Sequence, residues 1–150
     1  MSFSILRNAG VVLGGLVAGS VVNMAIITFN SHVLYPMPED VSMTDQEGFG
    51  KYIESLPIPA YFVVFLAHFG QALVGGMIAA KYGDKDSADP MVLSQIVGGL
   101  TLAGAVVNAM SLPVPKWTWI EMPLFPVVAW YAVKTVEKLS GSDTASPKRA

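Results

Sequence analysis

The chain has 150 residues and a net charge of −2, and 53% of its residues are hydrophobic while 13% are charged. Soluble domains carry about 25% charged residues, and disordered chains combine low hydrophobicity with high net charge, so this composition disfavours both classes. The sequence contains no cysteine, which excludes disulfides and thiol chemistry. It also has no basic excess for nucleic acid. These features indicate an integral membrane protein.

Long stretches without charged residues divide the chain into four predicted spans. Three stretches hold no Lys, Arg, Asp or Glu, and the fourth holds only Glu121 before Lys134. The first three are longer than the roughly 20 apolar residues that cross a hydrocarbon core, and the fourth is close to that length. None has the one-sided stripe of a soluble surface helix. We predict an all-α polytopic membrane protein with four transmembrane helices near residues 9–33, 58–80, 91–112 and 117–136.

The distribution of basic residues predicts the orientation of these spans. The first span is followed by no signal-peptide cleavage motif, so we interpret it as a retained helix. Residues 1–139 form the predicted transmembrane domain, and residues 140–150 a disordered polar tail. The positive-inside rule places both termini in the cytoplasm, and we expect the bacterial inner membrane. The basic residues on the predicted cytoplasmic side are Arg7, Lys81, Lys85, Lys134, Lys138, Lys148 and Arg149.

The first outside loop, residues 35–57, contains the pattern of a short amphipathic helix. Thr44 and Glu47 have the spacing of a capping box at a helix start. The apolar residues that follow share one helical face; they are Phe49, Tyr52, Ile53 and Leu56. Two placements remain open for this helix, on the outer membrane surface or packed as a lid on the bundle itself.

The two halves of the chain resemble each other. The string Ala18-Gly-Ser-Val-Val-Asn23 in the first span matches Ala103-Gly-Ala-Val-Val-Asn108 in the third at five of six positions. A Pro-x-Pro follows each string. This pattern predicts two similar helical hairpins related by an axis along the membrane normal. Chance similarity among small apolar residues is the alternative.

Small residues mark faces where spans are expected to approach each other closely. Gly15, Gly19 and Asn23 are four residues apart on the first span, and the third span repeats part of this pattern. We expect these two spans to cross tightly, with their asparagines hydrogen-bonded across the contact. The predicted packing positions are Gly15, Gly19, Gly75, Gly76, Gly99 and Gly104.

Polar side chains inside the spans are the candidate functional groups, because each costs free energy to insert. His68 lies near the midplane and can relay protons or bind metal. Pro123 and Pro126 predict irregular backbone beside Glu121, which membrane proteins tolerate only against protein or a cavity. The alternative is that these groups only hydrogen-bond helices together. The predicted polar track consists of Asn23, His68, Gln71, Asn108 and Glu121.

No motif of an enzyme, phosphate site or metal centre occurs in the sequence. We therefore predict no catalytic residue, no metal and no cofactor, and we favour a protein that is not an enzyme. The preferred function is a conduit or binding protein for a small solute, ion or proton. The alternative is a structural or accessory subunit of a larger membrane complex. The expected partners are the lipid bilayer and either further copies of the chain or a membrane-complex partner, with no nucleic acid.

Several short motifs carry a resemblance to a known group of proteins. These are Gly19-Ser-Val-Val-Asn23-Met24, Ala67-His68-Phe69-Gly70, Ile78-Ala-Ala-Lys81 and Pro113-Val-Pro-Lys-Trp117. Together they resemble a family of small uncharacterised bacterial four-span integral membrane proteins. The resemblance covers most of the chain before the tail and implies the four-span fold. It implies no activity, cofactor or site residue.

Overall fold

A computed structural model of the chain describes residues 3–42 and 44–143, and these form helices joined by short loops. The described residues contain no strand, which confirms the predicted all-α class. A π-helical turn, Asn30–Leu34, continues the first helix, and a 3-10 segment, Lys116–Leu124, leads into the last. The five α-helices are α1 (Phe3–Phe29), α2 (Gln46–Ser55), α3 (Ile58–Tyr82), α4 (Pro90–Ser111) and α5 (Phe125–Asp143).

Three helical segments are long and apolar enough to cross a membrane, and they coincide with the first three predicted spans. They are Phe3–Leu34, Ile58–Tyr82 and Pro90–Ser111. Their large side chains point outward, as Leu13 and Val17 do with 63% and 66% exposure. Many of the fully buried positions are instead alanines, such as Ala67, Ala72 and Ala79. This outward apolar surface is typical of helices that face lipid, and it supports the predicted membrane location.

The segment predicted as a fourth span near residues 117–136 is not one long apolar helix. Its first part is the 3-10 segment, and α5 begins only at Phe125. The second half of α5 carries Lys134 and Glu137, which explains why this helix lacks the composition of a span. The helix also continues to Asp143, so the tail does not begin at residue 140 as predicted. Residues 144–150 of that tail lie outside the described residues.

Proline and aspartate set the starts of the two central helices. Pro59 and Pro90 lie in the first turns of α3 and α4, where a missing N–H costs no helical hydrogen bond. Asp89 caps α4, since its carboxylate accepts a hydrogen bond of 2.7 Å from the backbone N–H of Met91. These residues fix where each helix begins.

Helix α3 lies at the centre of the bundle, with α1 on one side and α4 and α5 on the other. The backbones of α1 and α3 touch, because a Cβ added to Gly15 would lie 2.6 Å from the carbonyl oxygen of Gly75. A Cβ on Gly19 would overlap the backbone of Gln71. The predicted tight crossing of the first and third spans is therefore wrong. Helix α3 supplies a matching glycine at the contact, and α1 packs there instead.

The two similar strings of the sequence lie in different surroundings. A Cβ on Gly99 or Gly104 of α4 would meet no atom within 4 Å, so these glycines do not have the predicted packing contacts. Their neighbour Gly98 faces Ala129 of α5. In addition, α3 and α4 are packed neighbours, whereas α1 and α5 make at most marginal contact. The predicted two-fold axis would make the α3–α4 pair equivalent to the α1–α5 pair, so the packing differs from the predicted symmetry.

The short helix predicted in the first loop is present as α2, but its start differs from the prediction. Asp45 occupies the N-cap without a side-chain cap hydrogen bond. The Thr44 hydroxyl pairs with the Ser42 hydroxyl at 2.6 Å, so the predicted capping box is not formed. Helix α2 is joined to the bundle by the Tyr52 hydroxyl, which donates to the backbone oxygen of Tyr35 at 2.7 Å. This contact favours the lid alternative over a helix that only lies on lipid.

Candidate functional site

A histidine and a glutamate meet inside the bundle. Nδ1 of His68 lies 3.1 Å and 3.3 Å from the two carboxyl oxygens of Glu121. The two side chains are 12% and 5% exposed. His68 lies ten residues after the start of α3 and fourteen before its end, which places it about 15 Å and about 21 Å from those ends. The pair is therefore buried near the middle of the helices.

The 3-10 segment positions Glu121 opposite His68. At its start, the ring of Trp117 packs edge-on against Tyr61 at 5.8 Å between centroids. Just beyond its end, Phe125 packs against Phe69 at 5.7 Å. The segment thus runs alongside α3 from the level of Tyr61 to the level of Phe69. Because Glu121 lies between these two anchors, its carboxylate reaches the level of His68.

A cavity of about 450 Å³ lies on the other side of His68, between α1, α3 and α4. It brings together four of the five residues of the predicted polar track, and Glu121 contacts it through His68. The structure thus places the predicted residues side by side. Their functional role stays a prediction. The polar lining consists of Asn23, His68, Gln71, Thr101 and Asn108.

The asparagines of the cavity do not hydrogen-bond each other as predicted. The side chains of Asn23 and Asn108 form no hydrogen bond with any other described residue. Asn30 Oδ1 is the one buried side-chain N or O atom left without a partner in the described part of the chain, so these two amides reach accessible space. An amide without a partner at membrane depth is costly. Both amides are therefore free to bind water or a solute in the cavity.

The His68–Glu121 pair determines what the imidazole presents to the cavity. Nδ1 is engaged with the carboxylate, and Nε2 forms no hydrogen bond with the described residues. If the pair holds two protons and no net charge, one proton lies between Nδ1 and the carboxylate and the other lies on Nε2. Nε2 is then a donor. If the pair holds one proton, Nε2 is an acceptor and the pair is negative.

Two neighbouring hydroxyls belong to this region but were not part of the predicted track. Ser20 accepts a hydrogen bond of 3.3 Å from Nε2 of Gln71, which ties α1 to α3 beside the cavity. Thr101 donates to the backbone oxygen of Val97 at 2.9 Å, so its proton is used within α4. Ser20 is three residues before Asn23, and that spacing was the available sequence signal.

A buried asparagine outside the cavity was also missed. The π turn directs Asn30 into the bundle, where it is 4% exposed and donates to the backbone oxygen of Ala60 at 3.3 Å. Its Oδ1 has no partner. The sequence gives no sign of a π turn at this position, because the turn only changes how the following residues are rotated around the helix axis. Asn30 thus marks a second polar position near the α2 end of the bundle.

The remaining polar contacts tie helices together. Ser94 is fully buried and donates to the backbone oxygen of Ala129 at 2.8 Å. Asn8 pairs with Ser87 at 2.9 Å and accepts from the backbone N–H of Asp84 at 2.7 Å. These groups have their partners within the chain, so they are structural rather than candidate ligands.

The described residues contain no group of three His, Asp or Glu side chains that could hold a metal ion. Comparisons with known proteins gave no matching family model, no similar curated protein and no similar solved structure.

Proposed function

We propose that this protein binds or conducts a small solute, an ion or a proton through the cavity between α1, α3 and α4. The carrying observation is the buried His68–Glu121 pair at the wall of a polar cavity. Buried ionisable groups inside a membrane bundle are expensive and typically mark transport or proton pathways. Asn23 and Asn108 support the same function, because their unpaired amides can hydrogen-bond a bound molecule.

The proposal includes four crossings of the membrane, arranged as the hairpins α1–α3 and α4–α5. The fourth crossing would combine the 3-10 segment with the first half of α5. Trp117 contacts Tyr61 near the start of α3, and Val136 belongs to the same hydrophobic cluster as Ala80 near its end, which supports this assignment. Both termini would then lie on the side with more basic residues, the cytoplasm of a bacterium.

Transport by the pair can be tested in liposomes. Purified protein is reconstituted around a pH-sensitive dye, and proton entry is followed under a potassium diffusion potential. We expect flux above that of empty liposomes for the wild type, and loss of the added flux in His68→Ala and Glu121→Gln. His32→Ala is the matched control, since His32 is exposed and bonds only locally to Ser31 and Thr28.

Binding without transport is tested on the same samples by native mass spectrometry after gentle extraction. A reproducible small-molecule mass on the wild type, absent from both cavity variants, supports a binding protein. Equal flux in all variants together with no bound mass would contradict the proposal. Circular dichroism of each variant verifies that the helices are intact.

A second function, a structural or accessory subunit, has one observation in its favour. Gly99 and Gly104 leave an open small-residue face on α4, and such faces let membrane helices approach closely. This face would contact a subunit of a membrane complex. Recovery of a defined mass shared with another protein would favour this function. Recovery of a lone homo-oligomer would oppose it.

A further inference from the structure

We propose that the cavity takes a neutral, lipid-soluble molecule with a hydrogen-bond-accepting carbonyl head, which enters sideways from the bilayer between α1 and α4. The inference rests on the proposed function, because it names the class of ligand for the same cavity. Three features of the structure carry it: the donors that face the cavity, the absence of unpaired charge in its lining, and an apolar groove that continues the same cleft.

The polar groups of the cavity include donors for a hydrogen-bond acceptor. His68 lies in the cavity lining, and its Nε2 has no hydrogen-bond partner within the described residues. The amides of Asn23 and Asn108 each add N–H donors that have no partner within the described residues. A carbonyl oxygen of a ligand can accept hydrogen bonds from these N–H groups.

The lining favours a neutral ligand. It contains no Lys, Arg, Asp or Glu, and the nearby carboxylate of Glu121 is already engaged with His68. An anion would find no fixed positive charge there, and a cation would find no free carboxylate. The volume of about 450 Å³ lies within the range of small-molecule pockets.

The walls of the cavity favour entry from the bilayer. Leu100 and Val107 line it and are 50% and 61% exposed on the outward face of α4. The lid helix α2 lies across the helix ends beyond the cavity, where Tyr52 bonds to Tyr35 and a Cβ on Gly50 would touch Pro113. A ligand that enters through the open side of α4 therefore comes from lipid.

A second cavity gives the ligand a place for an apolar tail. A groove of about 560 Å³ lies in the same α1–α4 cleft, toward the opposite end of the bundle. Its apolar lining includes Val12, Leu13, Val92 and Ile96. Ile96 is one helical turn, about 6 Å, from Leu100 of the polar cavity. The cleft thus offers a polar site for a head and, next to it, an apolar groove for a tail.

The test uses the full-length protein and two lipid-soluble probes that differ in the head. Decylubiquinone carries carbonyl oxygens on its ring, and decylbenzene has the same tail and a ring without them. Each probe is titrated against the protein in detergent, and the bound mass is counted by native mass spectrometry. We expect decylubiquinone to bind with measurable Kd and decylbenzene to bind at least tenfold more weakly.

Variants then assign the binding to the cavity. Asn108→Leu removes an exposed amide that has no partner in the described chain, so the fold is not expected to change. We expect it to weaken decylubiquinone binding roughly tenfold, the effect of one hydrogen bond. His68→Ala should weaken binding at least as much, and His32→Ala should leave it unchanged. If His68→Ala fails to fold, Asn108→Leu alone still decides.

Three results would overturn the inference. Equal binding of the two probes would show apolar partition without recognition of the head. Equal binding by wild type and Asn108→Leu would place the probe outside the cavity. No binding of decylubiquinone, while proton flux still depends on His68 and Glu121, would refute the ligand class and leave the proposed function standing. If neither binding nor flux depends on these residues, both proposals fail.

Discussion

The contact between α1 and α3 predicts that Gly75→Ala destabilises the protein. A methyl group at residue 75 would lie 2.7 Å from the carbonyl oxygen of Gly15 on one side and 2.9 Å from Cγ1 of Val97 on the other. Side-chain carbons do not approach backbone oxygens so closely, so α1, α4 or both must move by several tenths of an ångström. Overpacking of this kind costs about 1–3 kcal/mol. The better helix propensity of alanine returns up to about 1 kcal/mol. We expect a net loss of about 1–2 kcal/mol in the free energy of unfolding.

The assay is unfolding of the detergent-solubilised protein by SDS, followed by far-UV circular dichroism. Gly99→Ala is the matched control on α4, because its methyl group would meet no atom within 4 Å. We expect this variant to be as stable as the wild type or slightly more stable. If Gly75→Ala unfolds at the same SDS fraction as Gly99→Ala, the inferred close contact of α1, α3 and α4 is refuted.

Three further predictions concern single hydrogen bonds. Ser94→Ala leaves the backbone oxygen of Ala129 without its buried donor and should lower the free energy of unfolding by about 1 kcal/mol in the same SDS assay; no change would show that the bond contributes nothing. Tyr52→Phe removes the bond to Tyr35, and we expect faster proteolytic cleavage within α2 while α3 stays intact; equal cleavage rates would contradict this. Burial raises the pKa of Tyr52, so its hydroxyl donates fully to Tyr35 at neutral pH. The stabilisation from this hydrogen bond is lost as pH rises through the tyrosine range, above about pH 10. Protection of α2 should fall there in the wild type and fall less in Tyr52→Phe, where only the bond from the Tyr61 hydroxyl to the backbone oxygen of Ile53 is left to titrate.

The sequence was sufficient to predict the helices that cross apolar surroundings. An uncharged stretch of more than 20 residues has few stable structures in lipid other than a helix. The sequence therefore predicted α1, α3 and α4 directly. The proline pair at residues 123 and 126 also predicted irregular backbone beside Glu121, and the 3-10 segment lies there. In both instances the signal is local in sequence.

Helix neighbours could not be predicted in the same way. The strings of α1 and α4 are nearly identical, yet Gly15 and Gly19 pack on α3, while a Cβ on Gly104 would meet no atom within 4 Å. A small-residue pattern shows that a face can approach a partner, but not which partner it meets. Gly75 explains why α1 packs on α3, because it lets α1 approach the backbone of that helix.

The sequence predicted how deep the site lies along the helices, but not which side chains face each other there. Helix rise placed His68 near the middle of its helix, and the structure has it there. The contact between His68 and Glu121 depends on how the 3-10 segment turns around α3, which periodicity does not determine. The unpaired amide oxygen of Asn30 depends on a π turn, and the amino-acid composition does not predict that turn.

The position of Glu121 in the chain has a consequence for biosynthesis. Asn23, His68 and Thr101 precede it, so the carboxylate that engages the imidazole is synthesised after these three residues. Until then His68 has no acidic partner within the bundle. The His68–Glu121 pair can therefore form only after translation has passed residue 121, and a nascent chain truncated before this point would insert its first helices without the pair.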